Sequence, residues 1–218
     1  MIATLIGATG LIGNYLLEEL LKDDFYHAVR ILIRRPVEIS HPKLEKKLVD
    51  FADAESFRLA LEGSDVVFCA IGTTQKKVKG DKAGYRKVDY DIPLNAARFG
   101  KLASCETFVL VSSVGANSKS NNFYLQLKGE VEDAIKEVGL KSVHIMRPSV
   151  LLGNRKEFRS GEKISKGIMS AFSLLIPSKY KPIHGRDVAK AMLAEAKNKK
   201  VGFFILEYRG IKKSILNS

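Results

Sequence analysis

The chain of 218 residues has no tryptophan, two cysteines, four histidines and no long apolar run. Each shortage removes a class of protein. Cys69 and Cys105 are too few for a disulfide framework and lack metal-ligand spacing, so both are expected as buried thiols in a reducing compartment. His27, His41, His144 and His184 are scattered, and no metal centre is expected. No stretch approaches the roughly 18 apolar residues of a membrane span, and Phe172 to Pro177 is apolar but brief. The first strand is too short for a signal peptide and runs straight into a glycine turn, so a cytoplasmic protein is expected. Acidic residues are also scarce, 24 against 36 basic ones, for a net charge of +12. The excess gathers at residues 76–87, where Lys76, Lys77, Lys79, Lys82, Arg86 and Lys87 face only Asp81. It gathers again at 197–213, where Lys197, Lys199, Lys200, Arg209, Lys212 and Lys213 face Glu207. Such surfaces steer anionic small molecules or hold nucleic acid without specificity. With no nucleic-acid module and no tryptophan for base stacking, steering and solubility are the reading. Neither a specific nucleic acid nor a membrane is expected as a partner.

What the chain does have begins at its first residues. Met1 to Ile6 reads as a short buried strand and Leu11 to Leu21 as a helix, with Leu16, Leu17, Leu20 and Leu21 at helical spacing. Between them lies Gly7-Ala8-Thr9-Gly10-Leu11-Ile12-Gly13. Strand, glycine turn and helix is the context of a dinucleotide-binding fingerprint, although G-x-x-G-x-x-G differs by one residue from G-x-G-x-x-G. Gly7 suits the tight turn, Gly10 the approach of backbone to a pyrophosphate, and Gly13 the packing of helix on strand. The helix then turns free N–H groups and its positive end toward the phosphates. The next strand, Val29 to Ile33, ends in Arg34-Arg35-Pro36. An acid there would bond a ribose 2′-hydroxyl, whereas arginine accommodates a 2′-phosphate, so NADPH is favoured over NADH.

Strand-like and helical patterns alternate along the rest of the chain. Strands are read at 47–49, 66–70, 107–111, 142–146 and 203–206, and helices at 54–61, 85–102, 121–138, 163–175 and 186–197. Pro93 inside the helix 85–102 bends or restarts it. This alternation predicts an α/β fold, a doubly wound parallel sheet of the Rossmann type. No repeat or low-complexity linker divides the chain. Residues 1–218 are read as one NAD(P)-binding domain with a small C-terminal segment on the substrate side.

The chemistry is expected where strands end. Ser112-Ser113-Val114-Gly115 follows the strand 107–111, and Tyr124 and Lys128 stand one helical turn apart on the next helix. A free phenol titrates near 10, too high for acid/base work at neutrality, and a neighbouring lysine cation favours the phenolate. A serine hydroxyl would hold a substrate carbonyl while Tyr124 gives or takes the proton. Ser112 and Ser113 are both open for that role.

The block Asn122-Phe123-Tyr124-Leu125-Gln126-Leu127-Lys128-Gly129-Glu130-Val131-Glu132, the start Gly7-Ala8-Thr9-Gly10 and the segment Met146-Arg147-Pro148-Ser149-Val150-Leu151-Leu152 carry a family resemblance over nearly the whole chain. The chain resembles the short-chain dehydrogenase/reductase superfamily, and more closely its atypical branch that includes the TIP30 (HTATIP2-like) oxidoreductases. The resemblance implies an NADPH-binding Rossmann fold, with Tyr124 as acid/base, Lys128 as its tuner and Ser112 or Ser113 as the orienting hydroxyl, Ser113 being preferred because it precedes Val-Gly as the superfamily's serine often does. It implies a cofactor lined by Gly7, Thr9, Gly10, Leu11, Ile12, Arg34, Arg35, Asp50, Phe51, Ala70, Ile71, Gly72, Tyr124, Lys128, Pro148, Ser149, Val150 and Leu151. The expected activity is reduction of a small carbonyl compound or oxidation of the matching alcohol. The alternative is a non-catalytic NADPH-binding regulator with a protein partner. A nucleotide-sugar epimerase or dehydratase is disfavoured, because only about 70 residues follow Pro148. The oligomeric state is open, a homo-oligomer included.

Overall fold

The computed structural model describes residues 1–73, 81–153, 177–198 and 200–216. Short runs rich in Val, Ile and Leu form the central strands, buried on both faces as a parallel sheet covered by helices requires, while the edge strand LEKKL is largely exposed. These are β1 (Ile2–Ile6), β2 (Ala28–Ile33), β3 (Leu44–Leu48), β4 (Val66–Cys69), β5 (Thr107–Val111) and β6 (Ser142–Met146). A separate two-stranded ladder joins β7 (Leu151–Leu152) to β8 (Ile183–His184), and β9 (Gly202–Leu206) returns to the main sheet. The order in the main sheet is β3-β2-β1-β4-β5-β6-β9, and every neighbouring pair is parallel. Chain direction across the sheet reverses between β1 and β4, which opens a crevice at the carboxyl ends of the strands. The expected doubly wound α/β sheet is therefore what forms.

Successive strand residues point to opposite faces, so the sheet carries two cores. Leu5, Ile31, Phe68 and Val109 face the first, which is closed by α1 (Leu11–Lys22), α6 (Gly185–Lys197) and α7 (Tyr208–Leu216). Ile6, Leu32, Val67 and Leu110 face the second, beneath α2 (Ala54–Ala60), α4 (Ile92–Leu102) and α5 (Phe123–Val138). A short helix α3 (Lys82–Arg86) runs through a π-helical turn, Lys87–Asp91, into α4.

The differences from expectation have physical reasons. The strand read at 47–49 is β3, three residues earlier, because it is an edge strand whose Lys46 and Lys47 face solvent and hide its alternation. The helix read at 85–102 begins at Lys82 and is broken by the π turn, while Pro93 sits in the first turn of α4, where its missing N–H costs nothing. Helix α7 and the β7–β8 ladder were not anticipated. The helix read at 163–175 and the lysines Lys76, Lys77, Lys79 and Lys199 lie outside the described residues. Among the described basic residues, several are neutralised locally: Arg86 by Glu130, Lys197 by Asp23 and Lys212 by Asp187.

Gly129 explains how α5 lies so close to the loop after β5. A Cβ there would stand 2.1 Å from the Ser118 amide nitrogen and 2.2 Å from the Asn117 carbonyl carbon. The loop also donates the Asn117 amide to the Leu125 carbonyl at 3.0 Å. Gly129→Ala must push backbone apart, and overpacking of this kind costs at least about 1–3 kcal/mol. A melting temperature lowered by several degrees is expected, and an unchanged one would show that the loop does not rest on Gly129.

Candidate functional site

The parallel strands of the main sheet end along one edge, where the crevice opens. Gly7 leaves β1 with φ +92°, and a Cβ on it would stand 2.7 Å from the Ala70 carbonyl, so β1 and β4 exit in backbone contact. Gly13 is tighter still, with its absent Cβ placed 2.0 Å from the Gly7 oxygen. Gly10 differs from both. It caps α1 with φ −79°, its added Cβ would meet only the Gly7 oxygen at 3.3 Å and the Ala70 oxygen at 3.8 Å, and its surface is exposed. Among the described residues no side chain caps α1, and no acid stands in its first turn, so the amides and positive end of the helix can face an external anion. The three glycines thus divide: Gly7 and Gly13 hold backbones together, and Gly10 leaves room in front of the turn.

The other expected cofactor residues fall on both sides of the crevice. Arg34 and Arg35 are exposed at the end of β2, and no carboxylate among the described residues pairs with either. Thr9 and Gly72 are exposed, and Ala70 and Ile71 are half-buried, as the wall beside β1. Asp50 is exposed and accepts the Ala52 amide at 2.9 Å, while Phe51 packs edge-on against Phe57. The side chains of Ile12 and Leu11 point away from the crevice: Ile12 is 4% exposed in the core, and Leu11 packs where Gly153 and Gly185 leave space. Pro148 accepts the Val114 amide at 3.0 Å and is buried, Ser149 donates its hydroxyl to the Lys181 carbonyl, Leu151 lies in β7, and Val150 is exposed.

On α5, Asn122 caps the first turn by accepting the Tyr124 and Leu125 amides. Tyr124 is half-buried with its ring set edge-on to Tyr85, and the Lys128 Nζ lies 6.0 Å from its centroid. Lys128 is 3% exposed, and its partner was not foreseen: Asp89, 1% exposed in the π turn, holds the ammonium at 2.9 Å. Burial alone would drive the lysine toward its neutral form, but Asp89 and then Tyr124 outweigh it and hold the ammonium above its ordinary range. The lysine, expected to tune Tyr124 and to line the cofactor, is paired with a carboxylate as well. A signal for Asp89 existed, because it lies on the stripe of Tyr85, Ile92 and Ala96 that faces inward.

The serines divide. Ser112 is 5% exposed and donates its hydroxyl to Glu132, which is itself buried and paired with Arg147. That network ties β5, α5 and the end of β6 together. Ser113 is half-buried, and its only hydroxyl bond among the described residues is a long one, 3.3 Å to the Val114 carbonyl. The Ser112 to Ser118 loop lies on α5 through Leu125 and Gly129, so serines and tyrosine share one end of that helix. Among the described residues, no group of His, Cys, Asp or Glu could hold a metal.

Comparison with known proteins agrees with this geometry. A family model described as NAD(P)H-binding matches residues 7–199. The protein HTATIP2 of Rattus norvegicus is 36% identical over 165 residues, covering 74% of this chain and 67% of that protein. FMP52 of Debaryomyces hansenii, named a mitochondrial protein, is 36% identical over 197 residues, covering 87% of this chain and 85% of its own. The structure of MoeE5 in complex with UDP-glucose and NAD shares the fold at TM-score 0.72 and 16% identity, covering 97% of this chain and 79% of that one. The chain therefore belongs to the NAD(P)H-binding family and, within it, to the HTATIP2-like branch. One expectation is overturned: several FMP52 relatives are named mitochondrial, so a cytoplasmic location does not stand. Among the described residues, no helix is long and apolar enough to cross a membrane.

The residues fit a dinucleotide, and the glycines give the test. Gly10→Val should leave the fold nearly intact and abolish measurable cofactor binding, since the new side chain fills the open face of the turn. Gly13→Val should fail to fold. Circular dichroism with a cofactor fluorescence titration reads both, and undiminished binding by a folded Gly10→Val protein would make the turn structural only.

Proposed function

We propose that this member of the NAD(P)H-binding family is an NADPH-dependent oxidoreductase that reduces a small carbonyl compound or oxidises the matching alcohol, working as one domain over residues 1–218. The observation that carries the reading is the half-buried Tyr124 one turn from a buried, charged Lys128, on a helix that opens beside the glycine crevice. Gly7, Gly10 and the amides of Leu11 and Ile12 would hold the pyrophosphate, and Asp50, Phe51, Ala70 to Gly72 and Pro148 to Leu151 would flank the rest. Arg34 and Arg35 favour the 2′-phosphate form, being exposed, unpaired among the described residues and not accompanied by an acid at the strand end. NADPH, when bound, supplies the hydride. Tyr124 donates its phenolic proton to the carbonyl oxygen, so that hydride plus proton make the alcohol, and the Ser113 hydroxyl holds that oxygen in line. Ser113 is favoured because the Ser112 hydroxyl is already given to Glu132.

The printed names of HTATIP2 and FMP52 state no reaction, and for that reason a second reading is kept. In it the chain binds NADPH without turnover and reports it to a protein partner. Tyr124→Phe separates the two. It removes one hydroxyl, keeps the fold and most cofactor affinity, and should lower turnover by about 10²–10⁴-fold. Ser113→Ala should reduce turnover, whereas Ser112→Ala should chiefly reduce stability. A Tyr124→Phe protein that consumes NADPH with an aldehyde, ketone or quinone at the unmodified rate would end the enzyme reading.

The cofactor preference is tested by itself. NADPH should bind more tightly than NADH, with each lost charge-assisted bond costing about 1.5–3 kcal/mol. Arg34→Ala with Arg35→Ala should remove the difference. Equal dissociation constants in the unmodified protein would overturn the preference.

A further inference from the structure

The π turn Lys87–Asp91 interrupts a helix without any proline inside it, and it delivers one side chain to the site. π turns of a single loop are uncommon and recur at functional positions. Asp89 is 1% exposed, so both carboxylate oxygens must be satisfied inside the protein. One oxygen lies 2.9 Å from the Lys128 Nζ. The other accepts the backbone amide of Thr73 at 2.8 Å. Thr73 follows Gly72 directly, at the end of the segment that leaves β4 along the cofactor crevice, and its carbonyl accepts the Tyr85 hydroxyl at 3.2 Å. Tyr85 in turn packs against Tyr124. A closed circuit therefore runs from Asp89 to Lys128, through Tyr124 and Tyr85 to Thr73, and back to Asp89.

We propose that Asp89 is the positioning residue of this site, one carboxylate oxygen fixing the Lys128 ammonium and the other fixing the loop that leaves β4. The claim rests on the functional reading above for what the site does, but its geometry stands independently. An ion pair taken wholly out of water is weak evidence for stability, since well-packed apolar residues often serve as well. A buried lysine without its carboxylate is, by contrast, driven to lose its charge. The groups that face the ammonium are Asp89 from the π turn, Tyr124 from its own helix and Cys69 from β4, whose thiol burial pushes up to about 12. Asp89 is the one group among these that pairs with the ammonium, at 2.9 Å, while its other oxygen is held by the Thr73 amide, so it sets the lysine against both burial and rotation.

The sign of the pH dependence follows. A lysine held above its ordinary range contributes stability that is present at neutrality and lost only as pH rises through its own titration. Asp89→Asn should bring that loss to lower pH. The direct measurement is the Lys128 side-chain ¹³Cε resonance, assigned with Lys128→Met, followed against pH without cofactor. In the unmodified protein it should remain in its charged position while exposed lysines titrate, near about 10.4. In Asp89→Asn it should titrate before them, and the Thr73 amide proton should move upfield. Turnover with NADPH should fall about 10- to 100-fold, the loss of one charge-assisted bond. Asp89→Glu, which keeps the charge and moves it, should leave Lys128 charged and still lower turnover. If Asp89→Asn does not fold, the unmodified titration and Asp89→Glu decide. Lys128 titrating with or below the exposed lysines in the unmodified protein would overturn the proposal, as would an Asn variant with unchanged titration. Failure of the unmodified protein to bind NADPH would sink the functional reading, and the Lys128 titration would still judge Asp89.

Discussion

The whole arrangement depends on one approach of backbone to backbone, between the start of α1 and the exit of β1. The missing Cβ of Gly13 would lie 2.0 Å from the Gly7 oxygen, closer than any side chain can be. The missing Cβ of Gly7 would strike the first residues after β4. These two absences let a helix, a central strand and its neighbour converge at the point where sheet order reverses. Everything proposed for cofactor binding uses the space that this convergence leaves in front of Gly10.

The opposite wall of the crevice is organised by charge. Lys128 with Asp89, and Glu132 with Arg147 and Ser112, are buried or nearly buried pairs on adjacent turns of the same helix face. Each pair joins α5 to an element that ends at the crevice. Such pairs are poor at adding stability but costly to break, because one partner removed leaves a charge in the interior. Their effect is therefore to fix which atoms face which, more than to hold the protein together. A helix packed only by Leu127, Val131 and Ile135 could rotate or slide by small amounts at little cost. The same helix tied by two ionic contacts cannot do so without stranding a charge.

Much of this was legible in the sequence because the governing signals are local. The glycine turn shows itself as Gly7, Gly10 and Gly13 between a strand and a helix, and the Tyr–Lys spacing is one helical turn. The central strands are uniformly apolar, so their alternation with helices led to a doubly wound sheet. What escaped was non-local. Asp89 reads as one more polar residue beside Lys87 and Asp91, and only its coincidence with the inward stripe marks it. The π turn leaves no trace, since a helix with one extra residue per turn has the same composition. Edge strand β3 was misplaced because Lys46 and Lys47 belong to a solvent face. The preference for Ser113 rests on the family resemblance, whereas the commitment of Ser112 to Glu132 depends on a partner in the next helix.

The division between backbone and side chain has a consequence for what the fold alone can imply. The phosphate recognition proposed here would rely on amides, an open helix end and missing side chains, features that any chain with this turn can supply. That is consistent with a shared fold at 16% identity with MoeE5, a structure containing UDP-glucose and NAD. Proton transfer, in contrast, needs a hydroxyl, a cation and a counter-charge from three separate elements: Tyr124 and Lys128 from α5, Asp89 from the π turn and the Ser112-Ser113 segment from the end of β5. The first set can persist while the second drifts, so cofactor binding by itself does not establish turnover. The second set draws on more than one motif, because Asp89 reaches Lys128 from the π turn that precedes α4. The internal coherence of Lys128, Asp89 and Thr73 is therefore stronger support for chemistry at this site than the Tyr–Lys spacing taken alone.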